Sequence, residues 1–119
     1  DDDNIFAKIL RGELPHNKVF ENDHALAFED IRPQAPVHIL VIPKGPYVSM
    51  EDFSGNASDA EVLDFFRAVG EVARNAGVVE KGYRFLANHG IDGRQEVPHF
   101  HVHVLGGRDL GGMIRRPPS

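Results

Sequence analysis

The chain contains no cysteine in its 119 residues, which excludes disulfides and thiol chemistry and leaves the redox compartment open. No apolar run approaches the roughly 20 residues of a membrane-spanning helix, and no signal-peptide pattern opens the chain. A cytoplasmic protein with no membrane partner is therefore the expectation. Positive charge is also short. Thirteen Lys and Arg against eighteen Asp and Glu leave a net charge of -5, so no basic face is available for nucleic acid. A bound phosphate must be met by local donors: backbone N–H groups, histidine and a few polar side chains. Repeats and low-complexity segments are absent too. A chain of this length reads as a single domain over 1–119, with residues 1–3 and about 114–119 flexible.

What is present is ordered by turn signals. Asn4 or Asp3 can cap a short helix over 5–11 that Gly12 ends. Segments 18–21 and 25–30 read as strands around the turn Asn22-Asp23. The run Val37-His38-Ile39-Leu40-Val41-Ile42-Pro43 is short, β-branched and almost wholly apolar, as a central strand is. Ser58-Asp59-Ala60-Glu61 matches a capping box for one long helix stopped by Gly77. Its apolar stripe is Val62, Phe65, Phe66, Val69, Val72, Ala73 and Ala76, core packing against a sheet. Residues 83–88 make a fourth strand, and a polar, glycine-containing loop from His89 to Glu96 leads to a fifth. Strand runs with one long and one short helix predict an α+β fold, an antiparallel sheet covered on one face.

The fifth strand is the informative one. In Pro98-His99-Phe100-His101-Val102-His103-Val104-Leu105-Gly106-Gly107, histidine recurs at every second position. Alternation in a strand puts His99, His101 and His103 on one face and Phe100, Val102 and Val104 on the other, in a core. Imidazoles in register need partners for both ring nitrogens. Two chemical readings are open. A neutral imidazole held at one nitrogen is a nucleophile toward phosphorus, with neighbours to stabilise charge and move protons. Alternatively, His-x-His on a strand is a zinc geometry, although alternate positions project in parallel and at most two of the three chelate easily. His38, inside the apolar central strand, is the natural partner. His16 and His24 sit among solvated turn residues, and His89 lies in the loop, at the surface or against substrate.

The run His99-Phe100-His101-Val102-His103-Val104-Leu105 resembles the signature of the histidine triad superfamily of nucleotide hydrolases and transferases. Residues 4–15, 28–38 and 41–44, together with Leu105-Gly106-Gly107-Arg108, are similar to its Hint branch, so the resemblance covers about residues 4–113. It implies a five-stranded antiparallel sheet joined to that of a second copy in a homodimer. It implies hydrolysis of the P–N bond of AMP or GMP amides through a nucleotidyl-histidine, with no metal or other cofactor required. Dinucleoside polyphosphate hydrolysis or nucleotidyl transfer is the alternative within the superfamily. A nucleotide-binding regulatory protein is the alternative outside enzymology.

By the same resemblance His101 is the nucleophile, His103 contacts phosphate and assists proton transfer, and His99 and His38 set tautomers and orientation. Asp30 accepts the ribose hydroxyls. Ile5, Phe6, Ile9, Phe28, Ile31 and Leu40 form an apolar slot for the base, with Glu29 beside them among the nucleotide-binding residues. Asn88 bonds near the phosphate, and residues Gly93 to Val97, including Gln95 and Glu96, offer it backbone donors. Two positions depart from the pattern. Glu96 stands where animal relatives carry serine, and Pro98 stands where tyrosine is common. The segment after Leu110 is expected to lean toward the partner subunit's site and tune substrate choice.

Overall fold

A computed structural model describes residues 3–116; the flexibility expected of residues 1–2 and 117–119 falls outside it. The elements run α1 (Ile5–Leu10), β1 (Lys18–Glu21), β2 (Ala25–Glu29), β3 (Val37–Pro43), α2 (Met50–Asn56), α3 (Asp59–Asn75), β4 (Tyr83–Leu86) and β5 (Val102–Gly106). The five strands form one sheet in the order β1-β2-β3-β5-β4, with every neighbouring pair antiparallel. The α+β architecture expected from sequence is therefore present.

The helix boundaries follow their caps. Asn4 Oδ1 accepts the Ala7 N–H at 2.9 Å to start α1. Ser58 and Glu61 close the reciprocal capping box of α3, and Gly77 ends it at φ +73°. A third helix, α2, was not expected. Ser49 caps it by accepting from Asp52 N–H, and its single buried residue, Phe53, rings with Phe65 and Phe100 at centroid distances of 5.1 and 5.3 Å.

Strand alternation divides the apolar residues into two layers. Ala25, Ala27, Ile39, Val41, Val102 and Val104 face α3, where Phe65, Ala68, Val69 and Val72 meet them. Leu26, Phe28, Leu40 and Ile42 face the other way and pack under Phe6 and Ile9 of α1. β3 is covered on both sides, which accounts for its unbroken apolar run. One stripe residue is corrected: Phe66 is 48% exposed, while Ala68 is buried in its stead. A single step along the helix turns Phe66 about 100° away from Phe65, onto the flank of the stripe.

The histidine strand is shorter than expected. β5 pairs with β3 only from Val41↔Val102 to Val37↔Gly106. Beyond that point Pro43 has no N–H for the ladder, and the Phe100 N–H bonds instead to the Tyr47 carbonyl at 2.7 Å. His99 and His101 therefore precede the regular strand. Alternation nonetheless persists, since Phe100 joins the α3 layer while Phe6 of the opposite layer packs on His99 and His101.

Candidate active site

Four imidazoles collect on the α1 side of the sheet, and backbone atoms fix most of their tautomers. His101 Nδ1 lies 2.7 Å from the His99 carbonyl. A carbonyl only accepts, so Nδ1 carries the proton and Nε2 keeps its lone pair. That Nε2 makes no hydrogen bond, and no buried side-chain nitrogen or oxygen among the described residues lacks a partner. The lone pair therefore faces the open side of the site. His99 Nε2 donates in the same way to the Pro43 carbonyl at 2.9 Å.

A second chain begins at a backbone donor. The Gln34 N–H donates to His38 Nδ1 at 3.0 Å, so a neutral His38 carries its proton on Nε2. That proton lies between His103 Nδ1 at 2.9 Å and Asp30 Oδ2 at 3.3 Å. His103 Nδ1 is therefore an acceptor, and its own proton resides on Nε2. Two nitrogens thus face the opening with opposite polarity: a lone pair on His101 and an N–H on His103. Their ring centroids are 5.1 Å apart.

Burial sets the charge of this cluster. It lowers the pKa of His38, His99 and His101, against the partial opposition of Asp30 at His38, the Pro43 carbonyl at His99, and the His99 carbonyl, Asp30 and Glu96 at His101. His103 is lowered furthest, to about 4, by burial and then by the neighbouring His101 and His38. All four are neutral at pH 7. Phe6 supplies much of the cover, lying edge-on to His101 at 4.9 Å and to Phe28 at 5.7 Å.

Asp30, His38 and His103 also form a donor set compact enough for a metal ion, with ligand atoms within 4.8 Å of one another. The Gln34 N–H argues against that use. It occupies the Nδ1 lone pair of His38 and leaves Nε2 protonated, so the nitrogen facing an ion has no lone pair to give.

Other expected residues fall in several places. Phe6, Ile9, Phe28 and Leu40 are buried together beside the histidines with Val97 packed against them, whereas Ile5 and Ile31 are exposed. Asp30 Oδ1 caps a turn by accepting the Arg32 N–H at 2.8 Å, while Oδ2 faces His38. Asn88 is exposed two residues past Leu86, the residue paired with His103. His16 is not simply solvated but lies edge-on to Phe28, and His24 pairs with Asp64 at 2.7 Å.

Two expectations are corrected. Glu29 follows Ala25 and Ala27 in alternation and so projects to the α3 side, where it borders a hollow with Val19, Val72 and Asn75. The loop donors are mostly engaged within the loop. The N–H groups of Gly93, Arg94 and Gln95 bond to the carbonyls of His89, Ile91 and Gly90, leaving those of Glu96 and Val97 available. The Gln95 side chain is an anchor: its Nε2 donates to the Val48 and Val97 carbonyls, and its Oε1 meets His89 Nδ1. No periodicity or motif signals such internal turn bonding. Another hollow, of about 780 Å³, lies elsewhere, between Gly77–Arg84 and Gly107–Gly111. It holds no nucleophile with a base, so the chemistry belongs to the histidine cluster.

An α+β sheet presenting an imidazole lone pair beside an imidazole N–H donor, on a strand with histidine at every second position, points to the histidine triad class. A family model described as the HIT domain matches residues 11–110, and the chain belongs to that family. It is 64% identical over 116 residues, 98% of this chain and 95% of the relative, to an uncharacterised HIT-like protein of Azospirillum brasilense. It is 41% identical over 113 residues, 95% and 94% of the two chains, to the purine nucleoside phosphoramidase of Escherichia coli. Among solved structures, a HIT family hydrolase from Clostridium thermocellum superposes with a TM-score of 0.86 at 39% identity, covering 97% of this chain and 99% of that one. The chain is thus a member of a superfamily of hydrolases and transferases.

Proposed function

We propose that this protein hydrolyses the P–N bond of purine nucleoside 5′-phosphoramidates, AMP or GMP amides, without a metal or other cofactor. The observation that carries this reading is the buried His101, its Nδ1–H held by the His99 carbonyl and its Nε2 lone pair open to the site. The E. coli phosphoramidase at 41% identity supports the choice of substrate. His101 Nε2 attacks the α-phosphorus, the P–N bond breaks, and a nucleotidyl-histidine forms. Water then attacks phosphorus and releases the monophosphate with His101 restored. His103 Nε2–H donates to the phosphoryl oxygens as charge develops. On the open side of the site the departing amine gains one proton from solvent, and the attacking water gives one up to solvent through the exposed Glu96 carboxylate. Protons thus balance over the cycle while His103 stays a neutral N–H donor. Asp30 retains acceptor capacity for ribose hydroxyls, and Phe6, Ile9, Phe28 and Leu40 wall the base slot, with Ile5 and Ile31 at its rim.

The same reading makes the protein a cytoplasmic homodimer. The support for pairing is the open edge of β4, which carries the exposed side chains of Tyr83 and Phe85. No helix among the described residues is long and apolar enough to cross a membrane.

The test is steady-state hydrolysis of an adenosine 5′-alkylphosphoramidate by chelator-treated wild type and His101→Ala, with a dinucleoside polyphosphate alongside. Turnover of the amide that is lost in the variant is expected. Faster cleavage of the dinucleotide would move the reading to the polyphosphate alternative.

A further inference from the structure

We propose that Arg108 is a positioning residue for the histidine site, holding the Gln34 backbone, whose carbonyl it grips, so that the Gln34 N–H locks the His38 and His103 tautomers. The inference builds on the phosphoramidase reading but rests on geometry that is independent of substrate. Residues 31–34 are exposed and contribute nothing to either core layer. Even so, the loop they belong to supplies the N–H that occupies His38 Nδ1 and, with Asp30 Oδ2 facing Nε2, keeps the proton on Nε2. From across the sheet, Arg108 Nη2 donates to the Gln34 carbonyl at 3.0 Å, and Nη1 donates to the Asp109 carbonyl at 2.7 Å. The guanidinium thus ties the chain leaving β5 to the loop entering β3.

The glycine before Arg108 makes this tie possible. Gly107 has φ +92°, and a Cβ there would stand 2.9 Å from Pro36 Cβ. No side chain fits that conformation or that gap. The chain leaving β5 therefore passes tightly against the same loop that Arg108 grips.

The consequence follows along the hydrogen bonds. With the Gln34 N–H in place, His38 donates from Nε2, His103 accepts at Nδ1, and His103 presents N–H to the phosphoryl group. Without it, Asp30 Oδ2 alone, 3.3 Å from Nε2, favours the proton there, and the tautomer in which His38 carries it on Nδ1 and accepts at Nε2 gains population. His103 then turns its Nδ1–H toward His38 and presents a lone pair to an anion, which is repulsive. Arg108 thereby sets the sign of the group that meets phosphate, although it touches neither substrate nor imidazole.

The decisive readout is the set of histidine ring 15N shifts in uniformly labelled, ligand-free protein at pH 7.5, which distinguish protonated from lone-pair nitrogens. Wild type should show lone-pair Nδ1 and protonated Nε2 at both His38 and His103. In Arg108→Ala these shifts should move toward averaged values, kcat/KM should fall about three- to tenfold, the worth of one hydrogen bond, and the melting temperature should hold. Arg108→Lys should recover part of the loss. Gln34→Pro removes the N–H outright and should match or exceed Arg108→Ala, whereas Gln34→Ala keeps the N–H and should resemble wild type. Unchanged shifts in Arg108→Ala would overturn the role of Arg108 whatever its activity, and unchanged shifts in Gln34→Pro would overturn the role of the Gln34 N–H as well. If wild type turned over no phosphoramidate, the proposed function would fall while the 15N shifts still decided the lock.

Discussion

The two faces of the sheet are built from the same strands and buried to similar depth, yet they differ in kind. On the α3 face the buried cluster is apolar, and the rings of Phe53, Phe65 and Phe100 pack together in it. On the α1 face the same alternation buries Phe6, Phe28, Leu40 and Ile42 alongside His38, His99 and His101. Burial on the first face yields packing energy alone. On the second it also strips water from imidazoles and holds them neutral, with backbone carbonyls and an N–H deciding which nitrogen carries each proton. The chemistry of this fold thus arises where apolar cover closes over imidazoles.

Four substitutions or conditions would break or sharpen that contrast. The largest expected effect is that of His101→Ala on the α1 face. Turnover should fall by about a thousandfold or more while the melting temperature shifts little, as read by steady-state kinetics and calorimetry. Retained turnover would end the assignment. The complementary change on the α3 face is Phe65→Ala, which empties a fully buried site. It should cost about 3–5 kcal/mol of stability by urea titration and leave kcat nearly intact where the protein stays folded.

Acid should act on the α1 face first. Unfolded histidines take up protons near pH 6.5, whereas His38, His99, His101 and His103 hold out to lower pH in the fold. Below 6.5 the unfolded chain binds more protons, so stability is complete above that value and drains as pH falls, toward about 4 for His103. The hydrogen-bonded carboxylates Glu21, Glu61 and Asp52, lowered by Lys44, by the Ser58 N–H and by the Val48 N–H, respond only in their own more acidic range. A melting temperature that drops between pH 7 and 5, with a shallower drop in His103→Asn, is expected. A flat profile would contradict the buried neutral cluster. The smallest effect is Phe6→Ala. Water readmitted to His101 should move the acid limb of kcat/KM upward, toward pH 6.5.

Much of this contrast is legible in the sequence because alternation and capping are local. Strands β1 and β3 begin and end where their turn residues and apolar runs place them, and Ser58, Glu61 and Gly77 bound α3. Helix α2 escaped notice because Met50–Asn56 carries Gly55 and buries only Phe53, too few residues to show a period. The early end of β5 depends on what Tyr47 and Pro43 offer across the sheet, which is a tertiary matter. Glu29 illustrates a register consequence: one position from Phe28, it turns to the opposite face. The triad, His38 and the Phe6 wall came together as the motif implied. The Gln34 N–H and the Arg108 clamp are backbone contacts that no residue pattern announces.

The proposed nucleophilic role of His101 is tested most directly by trapping the adduct it would form. Wild type is mixed with an adenosine 5′-phosphoramidate, quenched rapidly under alkaline conditions that preserve a phosphorus–imidazole bond, and analysed by intact and peptide mass spectrometry. An adenylyl adduct is expected on the peptide bearing His99, His101 and His103, localised to His101 by fragmentation and absent from His101→Ala. An adduct on His99 or His103, or one that persists in His101→Ala, would contradict that role.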